Sequence, residues 1–269
     1  KNPKVFIAEN VKGILSANKG LAIETIIKDF RSLEPGYLVI PKLIDFSCYG
    51  LPQIRERVLI FGIRKDTQFD MLFPGTTHGE GKLTPTSSHK GIENIKKDVL
   101  NQEHMNIQPR TIEILKRIPP GGNFASIDKQ DPYYVKGMIS HVYRRLDPDK
   151  PAKTIIAAGG GGTWGYHYPE PRALTNRERA RLQGFPDNFN FEGTFGEIRK
   201  QIGNAVPPIG TINFVNSISK LFKKNYKTCD IEKIDNFISK MSIKDLMKRS
   251  NSKIEFYASD LSNEELFSN

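Results

Sequence analysis

The chain has 269 residues, 40 Lys and Arg against 30 Asp and Glu, and a formal net charge of +10. With 38% hydrophobic and 26% charged residues it is too apolar for a disordered chain, and no stretch approaches the ~20 apolar residues that span a bilayer. The cysteines, Cys48 and Cys229, exclude a disulfide scaffold and a Cys-rich zinc site and fit a reducing cytoplasm.

The chain starts with Lys1 rather than Met and enters a strand almost at once, which reads as a fragment, a processed chain or one part of a split protein. Lys4 to Ala8 is a continuous apolar run, expected as a strand buried on both faces. It ends in Glu9-Asn10, and ligands bind at the carboxyl ends of strands in open α/β sheets. Ile23, Ile26, Ile27, Phe30 and Leu33 follow at helical spacing, and Pro35-Gly36 stops that helix. Tyr37 to Ile40 and Val58 to Phe61 read as two further strands. Strand, helix, strand, strand suggests one half of an α/β sheet.

From 66 to 145 the pattern weakens into loops around two helical stretches near 92–100 and 110–117, as in a small lobe or large insertion. Thr175 with Glu178 forms a capping box for a helix through Leu182 that Gly184 ends. A last helix starts near Pro207-Pro208, with Ile212, Val215, Ile218, Leu221 and Phe222 expected on its buried side. Residues 225–269 hold amphipathic stretches at 231–241 and 242–249 and an acidic end. The basic excess lies before 225, in the body of the chain. A folded basic surface points to a polyanion, most simply nucleic acid, although solubility charge is the bland alternative.

Singly, the polar clusters have ordinary explanations. Glu9 could cap a turn, and Gln53-Ile54-Arg55-Glu56-Arg57 could be a solvated strand edge. Gly159 to Gly162 lacks the Gly-Lys-Ser/Thr of a phosphate-binding loop and reads as a turn beside a ligand or another backbone. His141 and His167 lack metal-ligand spacing, so no metal is expected. Cys48 has no helix N-terminus or nearby His to activate it and reads as a packed thiol.

In order, the clusters say more. Phe6-Ile7-Ala8-Glu9-Asn10-Val11 is followed by Tyr49-Gly50-Leu51-Pro52-Gln53-Ile54-Arg55-Glu56-Arg57-Val58. After a long gap come Arg172-Ala173-Leu174-Thr175-Asn176-Arg177-Glu178, then Gln201-Ile202-Gly203-Asn204-Ala205-Val206-Pro207-Pro208. This series resembles the later motifs of the DNA cytosine-5 methyltransferases, from Glu-Asn-Val to Gln-x-Gly-Asn-x-Val-Pro, over residues 1–222.

The resemblance implies an α/β fold: the C-terminal part of a Rossmann-like methyltransferase sheet plus a small target recognition lobe. It implies a partial catalytic domain over 1–65, a target recognition domain over 66–171, a return to the catalytic domain over 172–224, and a helical extension over 225–269. Family members flip a cytosine out of duplex DNA, add a cysteine thiolate at C6 and methylate C5 from S-adenosylmethionine. Glu9 would hydrogen-bond or protonate N3 from a closed pocket, Asn10 would hold its loop, and Arg57 would reach O2. Arg55 and Gln53 would meet DNA, and Gly203, Asn204 and Ala205 would line the methyl-donor site. In the recognition lobe, Gly121, Gly122, Asn123, Arg144 and Arg145 are the candidates for DNA contact, Arg144 or Arg145 reading a guanine edge or holding phosphate.

The family's glycine-rich and Pro-Cys motifs precede Glu-Asn-Val, and no Pro-Cys dipeptide occurs in this chain. The expectation is therefore one part of a bacterial modification enzyme, cytoplasmic and nucleoid-associated, whose partners are double-stranded DNA and a complementary N-terminal polypeptide carrying both motifs. A non-catalytic DNA-binding module and an RNA (transfer RNA) methyltransferase part are the alternatives.

Overall fold

A computed structural model describes residues 1–67, 74–139, 142–157 and 165–222, together with 235–236, 239–240 and 242. The glycine run at 159–162, His141 and most of the stretches at 231–241 and 242–249 lie outside the described residues. By compactness the chain divides into two units. The first comprises residues 1–46, 55–77 and 212–269, and the second comprises 47–54 and 78–211.

The first unit is built on three antiparallel strands in the order β1-β3-β2: β1 (Val5–Val11), β2 (Tyr37–Asp45) and β3 (Glu56–Arg64). Alternation along the strands sorts the side chains onto two faces. Helix α1 (Leu21–Ser32) covers one face, where Ile23 and Ile27 pack with Tyr37, Val39, Leu43, Val58 and Ile60. On the other face, Phe214 meets the rings of Phe46 and Phe61 with centroids 6.2 and 5.9 Å apart.

The central strand β3 is almost wholly buried, whereas every residue of β1 is at least partly exposed. The run at Lys4 to Ala8 is thus not a strand buried on both faces. It is an edge: among the described residues β1 has a strand neighbour on one side only.

The second unit has little regular structure. It contains α2 (Ser88–Ile92), α3 (Pro109–Arg117), α4 (Asn176–Leu182), α5 (Phe195–Asn204) and the start of α6 (Pro208–Leu221). Helix α2 ends where the sequence pattern would start one, and residues 93–100 run through turns instead. Ser87 accepts from Lys90 N–H and starts the helix early, and the extended Glu93 followed by Asn94 at φ +56° ends it. Helix α3 follows the expected stretch closely.

The core of this unit joins Ile92, Leu146, Ala152 and Ile155 to Leu174, Leu182, Phe191, Ile198 and Ile202. Compactness therefore draws its boundary elsewhere than the functional divisions expected at 66, 172 and 225, because side chains from both sides of 172 share one core.

Helix α4 begins and ends as its residues dictate. Thr175 Oγ1 accepts from Glu178 N–H at 3.1 Å, Glu178 Oε2 accepts from Thr175 N–H at 2.8 Å, and Gly184 turns out of the helix at φ +86°. Helix α5 carries a second capping box of the same type, Thr194 with Glu197. In α6 the expected apolar side is only partly covered, Ile218 being half-buried. Ile212 and Val215 are 56% and 55% exposed, whereas Phe214 and Ser217 are buried.

Candidate functional site

Antiparallel pairing places Val11 opposite Arg57 and Glu9 opposite Leu59, so Glu9 and Arg57 are diagonal neighbours on one face. Arg57 Nε donates to Glu9 Oε1 at 2.9 Å, and Arg57 Nη1 also donates to Glu56 O. The Glu9 side chain is 27% exposed and that of Arg57 13%. Among the described residues the Glu9 carboxylate is partly exposed, beside the Arg57 guanidinium.

Arg55 is fully buried, and burial next to Arg57 pulls its guanidinium down to about 10, with Glu9 acting against that shift. It remains a cation at neutral pH, but its burial leaves no surface from which to grip a DNA strand. Lys42 sits in line with Glu9 across the sheet, both being paired to Leu59, and therefore on the same face. Burial pulls its ammonium down to about 7. That face thus gathers one carboxylate and three basic side chains.

Asn10 belongs to the opposite face by strand alternation, and its Oδ1 accepts from Val11 N–H at 2.8 Å. It bonds the next amide of its own strand and stands apart from the Glu9–Arg57 pair. Cys48, the thiol passed over as a nucleophile, is half-buried in the 3-10 turn Phe46–Tyr49.

In the second unit several motif residues serve architecture. Gln53 is fully buried. Its Nε2 donates to Leu182 O and Gln183 Oε1, and its Oε1 accepts from Ile155 N–H at 2.9 Å. Gln53, expected to meet DNA, ties the 47–54 segment to α4 and to the 152–155 run.

Arg177 donates to Leu100 O, Pro186 O and Phe189 O, and Arg172 grips both oxygens of Glu178 at 2.8 and 2.9 Å. Burial drives the Glu178 carboxyl up, but the Arg172 bonds outweigh it and hold the group below its ordinary range.

The Gln-x-Gly-Asn motif closes α5. A Cβ on Gly203 would lie 2.2 Å from Ala157 N, so the missing side chain lets α5 press against the 156–157 backbone. Arg199 Nε adds a bond to Ala157 O at 3.3 Å. Gly203 therefore faces protein where a methyl-donor contact was expected. Ala205 is half-buried and its carbonyl accepts from Gln183 Nε2. Asn204 is exposed. Of the three expected donor-site residues, only Asn204 presents a side chain that a ligand could meet.

The recognition-lobe candidates do come together. Gly121 N–H donates to Leu146 O at 2.8 Å, and Arg145 N–H donates to Gly122 O at 3.0 Å. Gly121, Asn123 and Arg144 then line a groove of about 690 Å³ with Lys150 and Lys153. Arg145 lines it too but is only 7% exposed. Its guanidinium donates to Leu115 O, Ile118 O, His167 O and Tyr168 O. The physical reason is direct: four carbonyls in a buried corner need a forked donor.

Sequence reading missed Lys42, whose burial depends on strand register, and missed α5. The T-x-x-E signature at Thr194 to Glu197 could have revealed that helix.

The family model for C-5 cytosine-specific DNA methylase matches residues 1–224. The chain is 55% identical over 235 residues to the Type II methyltransferase M.NgoFVII of Neisseria gonorrhoeae, a match covering 86% of this chain and 62% of that protein. It is 46% identical to the Type II methyltransferase M.BbvI of Brevibacillus brevis, over 83% of this chain and 60% of the relative. It is 30% identical to the DNA (cytosine-5-)-methyltransferase M.ApeKI of Aeropyrum pernix, over 81% and 72%. The chain thus spans less than two thirds of the length of the first two relatives.

Among solved structures, an E. coli prophage protein described as a DNA modification methyltransferase superposes with a TM-score of 0.57 at 21% identity, over 81% of this chain and 70% of the other. The Spodoptera frugiperda DNMT2 mutant superposes with a TM-score of 0.51 at 15% identity, over 83% and 68%. At these identities the likeness is one of fold, an α/β methyltransferase fold.

Proposed function

This chain belongs to the C-5 cytosine-specific DNA methylases, and from that premise we propose that it is the part of a DNA cytosine-5 methyltransferase that holds the target base and the DNA. A second polypeptide or segment supplies the Pro-Cys nucleophile and the glycine-rich cradle. The observation that carries this reading is the partly exposed Glu9–Arg57 pair, with Arg55 adding positive charge beside it. A flipped cytosine offers acceptors at N3 and O2. Arg57 can turn its fork from Glu9 toward O2, and Glu9 faces N3, sharing the proton the ring gains there as the thiolate adds at C6. Both residues stand on strands, so the geometry is rigid before the base arrives.

S-adenosylmethionine is the methyl donor in this reading and supplies the methyl group that goes to C5. The residues here fit only its margin: Asn204 can reach a ligand, and Gly203 is filled by Ala157. Most of the donor's cradle therefore falls to the complementary part. The one-sided edge of β1 and the exposed apolar side chains of α6 supply a surface for that part.

The experiment combines the chain with a polypeptide carrying the Pro-Cys and glycine-rich motifs and measures methyl transfer to cytosine in duplex DNA. Transfer by the mixture and none by the chain alone is expected. Glu9→Gln should then lower the rate by ~10²–10⁴-fold and leave DNA affinity unchanged. Transfer by the isolated chain would overturn the division of labour.

A further inference from the structure

We propose that Lys12 and Glu56 position the Glu9–Arg57 pair for the reaction by clamping the end of the β1–β3 ladder on which it stands. The inference rests on the role proposed above for Glu9 and Arg57 and adds the residues that hold them in place. All four belong to one compact unit.

Glu9 and Arg57 stand where the sheet runs out. The last backbone rung between β1 and β3 pairs Val11 with Arg57, the second residue of β3. Beyond Val11 the chain leaves the sheet in the 3-10 turn Lys12–Leu15. Ladder ends open more readily than ladder interiors. A carboxylate and a guanidinium that share one base need the reverse, a geometry held within about 0.5 Å.

Lys12 and Glu56 supply a further rung made of side chains. Each is the next residue past the Val11–Arg57 rung on its own side of the ladder. Lys12 Nζ donates to Glu56 Oε1 and Oε2, both at 2.9 Å. The Glu56 carbonyl accepts from Arg57 Nη1 at 2.8 Å, while Arg57 Nε donates to Glu9 Oε1 at 2.9 Å. The clamp thus reaches the guanidinium through the Glu56 backbone. When Arg57 turns its fork from Glu9 toward the base, the Glu56 carbonyl is the partner it keeps.

The charges explain why a cation is needed here. On its other side Glu56 faces Asp45, its partner on β2. Two carboxylates directly opposite one another repel and work to part the strands at this end. Lys12 offsets that repulsion on the β1 side, and Asp45 Oδ1 accepts from Arg55 N–H at 3.2 Å. The Lys12 and Glu56 side chains are 54% and 40% exposed, so their pair adds little to overall stability. Its effect is local, on the orientation of Arg57, and shows in the rate of reaction.

The test combines the full 269-residue chain with the polypeptide carrying the Pro-Cys motif. It reads methyl transfer at saturating DNA, where affinity no longer limits the rate. Lys12→Met and Glu56→Gln are each expected to lower that rate by ~2–5-fold. Lys12→Arg should restore it, and the double variant should be no slower than either single one. Raising the salt should narrow the gap between parent and variants, because an exposed pair is screened.

The two substitutions change the charge in opposite directions. If Lys12 served only to attract DNA, they would shift DNA affinity oppositely and leave the saturated rate alone; that result would overturn the proposal. So would losses that multiply in the double variant. In the chain alone, nitrogen-15 relaxation of the Arg57 Nε–H group should show a looser guanidinium in both variants. A parent mixture that transfers no methyl group removes the enzyme reading. The relaxation measurement still judges the clamp, which falls if Arg57 is equally rigid in parent and variants.

Discussion

Lys42 is the residue whose chemistry is most at odds with its surroundings. It is 1% exposed on a sheet face among Leu38, Ile40 and Ile44. Burial lowers its ammonium from 10.5 to about 7. Between those values the unfolded chain holds a proton that the folded chain has lost, so stability rises with pH across that window. Below about 7 the fold holds the Lys42 ammonium as a buried cation. Lys42→Met removes the titrating group, and the variant's stability relative to the parent in urea unfolding should be highest below pH ~7. It should then shrink by ~1.4 kcal/mol per pH unit as the pH rises toward 10.5. An advantage that stays constant would show that Lys42 keeps its proton in the fold.

Residue identity alone does not announce such a site, because Lys42 is a strand residue like its neighbours until register places it. The Glu9–Arg57 pair has the same origin. Both residues were legible as candidates from their motifs, but their contact follows from pairing Val11 with Arg57. Gln53, Arg145 and Gly203 run the other way. Their motif positions suggested ligands, and their partners are backbone groups hidden until the loops close.

At the scale of elements, local chemistry was readable wherever a helix start is written in a few residues. The Thr175–Glu178 box and the Gly184 stop place α4 within a residue of its observed ends. The equivalent Thr194–Glu197 box starts α5, and Thr194→Ala should cost ~1 kcal/mol in chemical denaturation. A cost near zero would mean that tertiary contacts, not the cap, start that helix.

Periodicity was less decisive. In α6 apolar residues occur on more than one side, so the 3.6-residue repeat could not say which side faces inward. Phe214 turns in against Phe46 and Phe61, and Ile212 and Val215 are left outward. Ile212→Ser with Val215→Ser should therefore change the chain's own stability by no more than ~0.5 kcal/mol. The same pair should weaken capture of the complementary polypeptide in a pull-down. A large loss of stability with capture intact would assign those side chains to the chain's own core.

For the whole molecule, the net charge of +10 and the basic groove agree in sign, and both favour association with a polyanion. The family was legible from four short motifs in order, because such residues keep their spacing around a shared chemistry. The division into compact units was not, because Leu174 and Leu182 share a core with Leu146 and Ile155 across the boundary drawn from function. Contacts between residues so far apart in sequence leave no periodic trace.

The bare flank of β1 also bears on stoichiometry. Among the described residues β1 has one strand neighbour, and such a strand is a template for whatever strand arrives first. Where the complementary part proposed above is a separate polypeptide, an excess of this chain exposes that edge to pairing with a second copy.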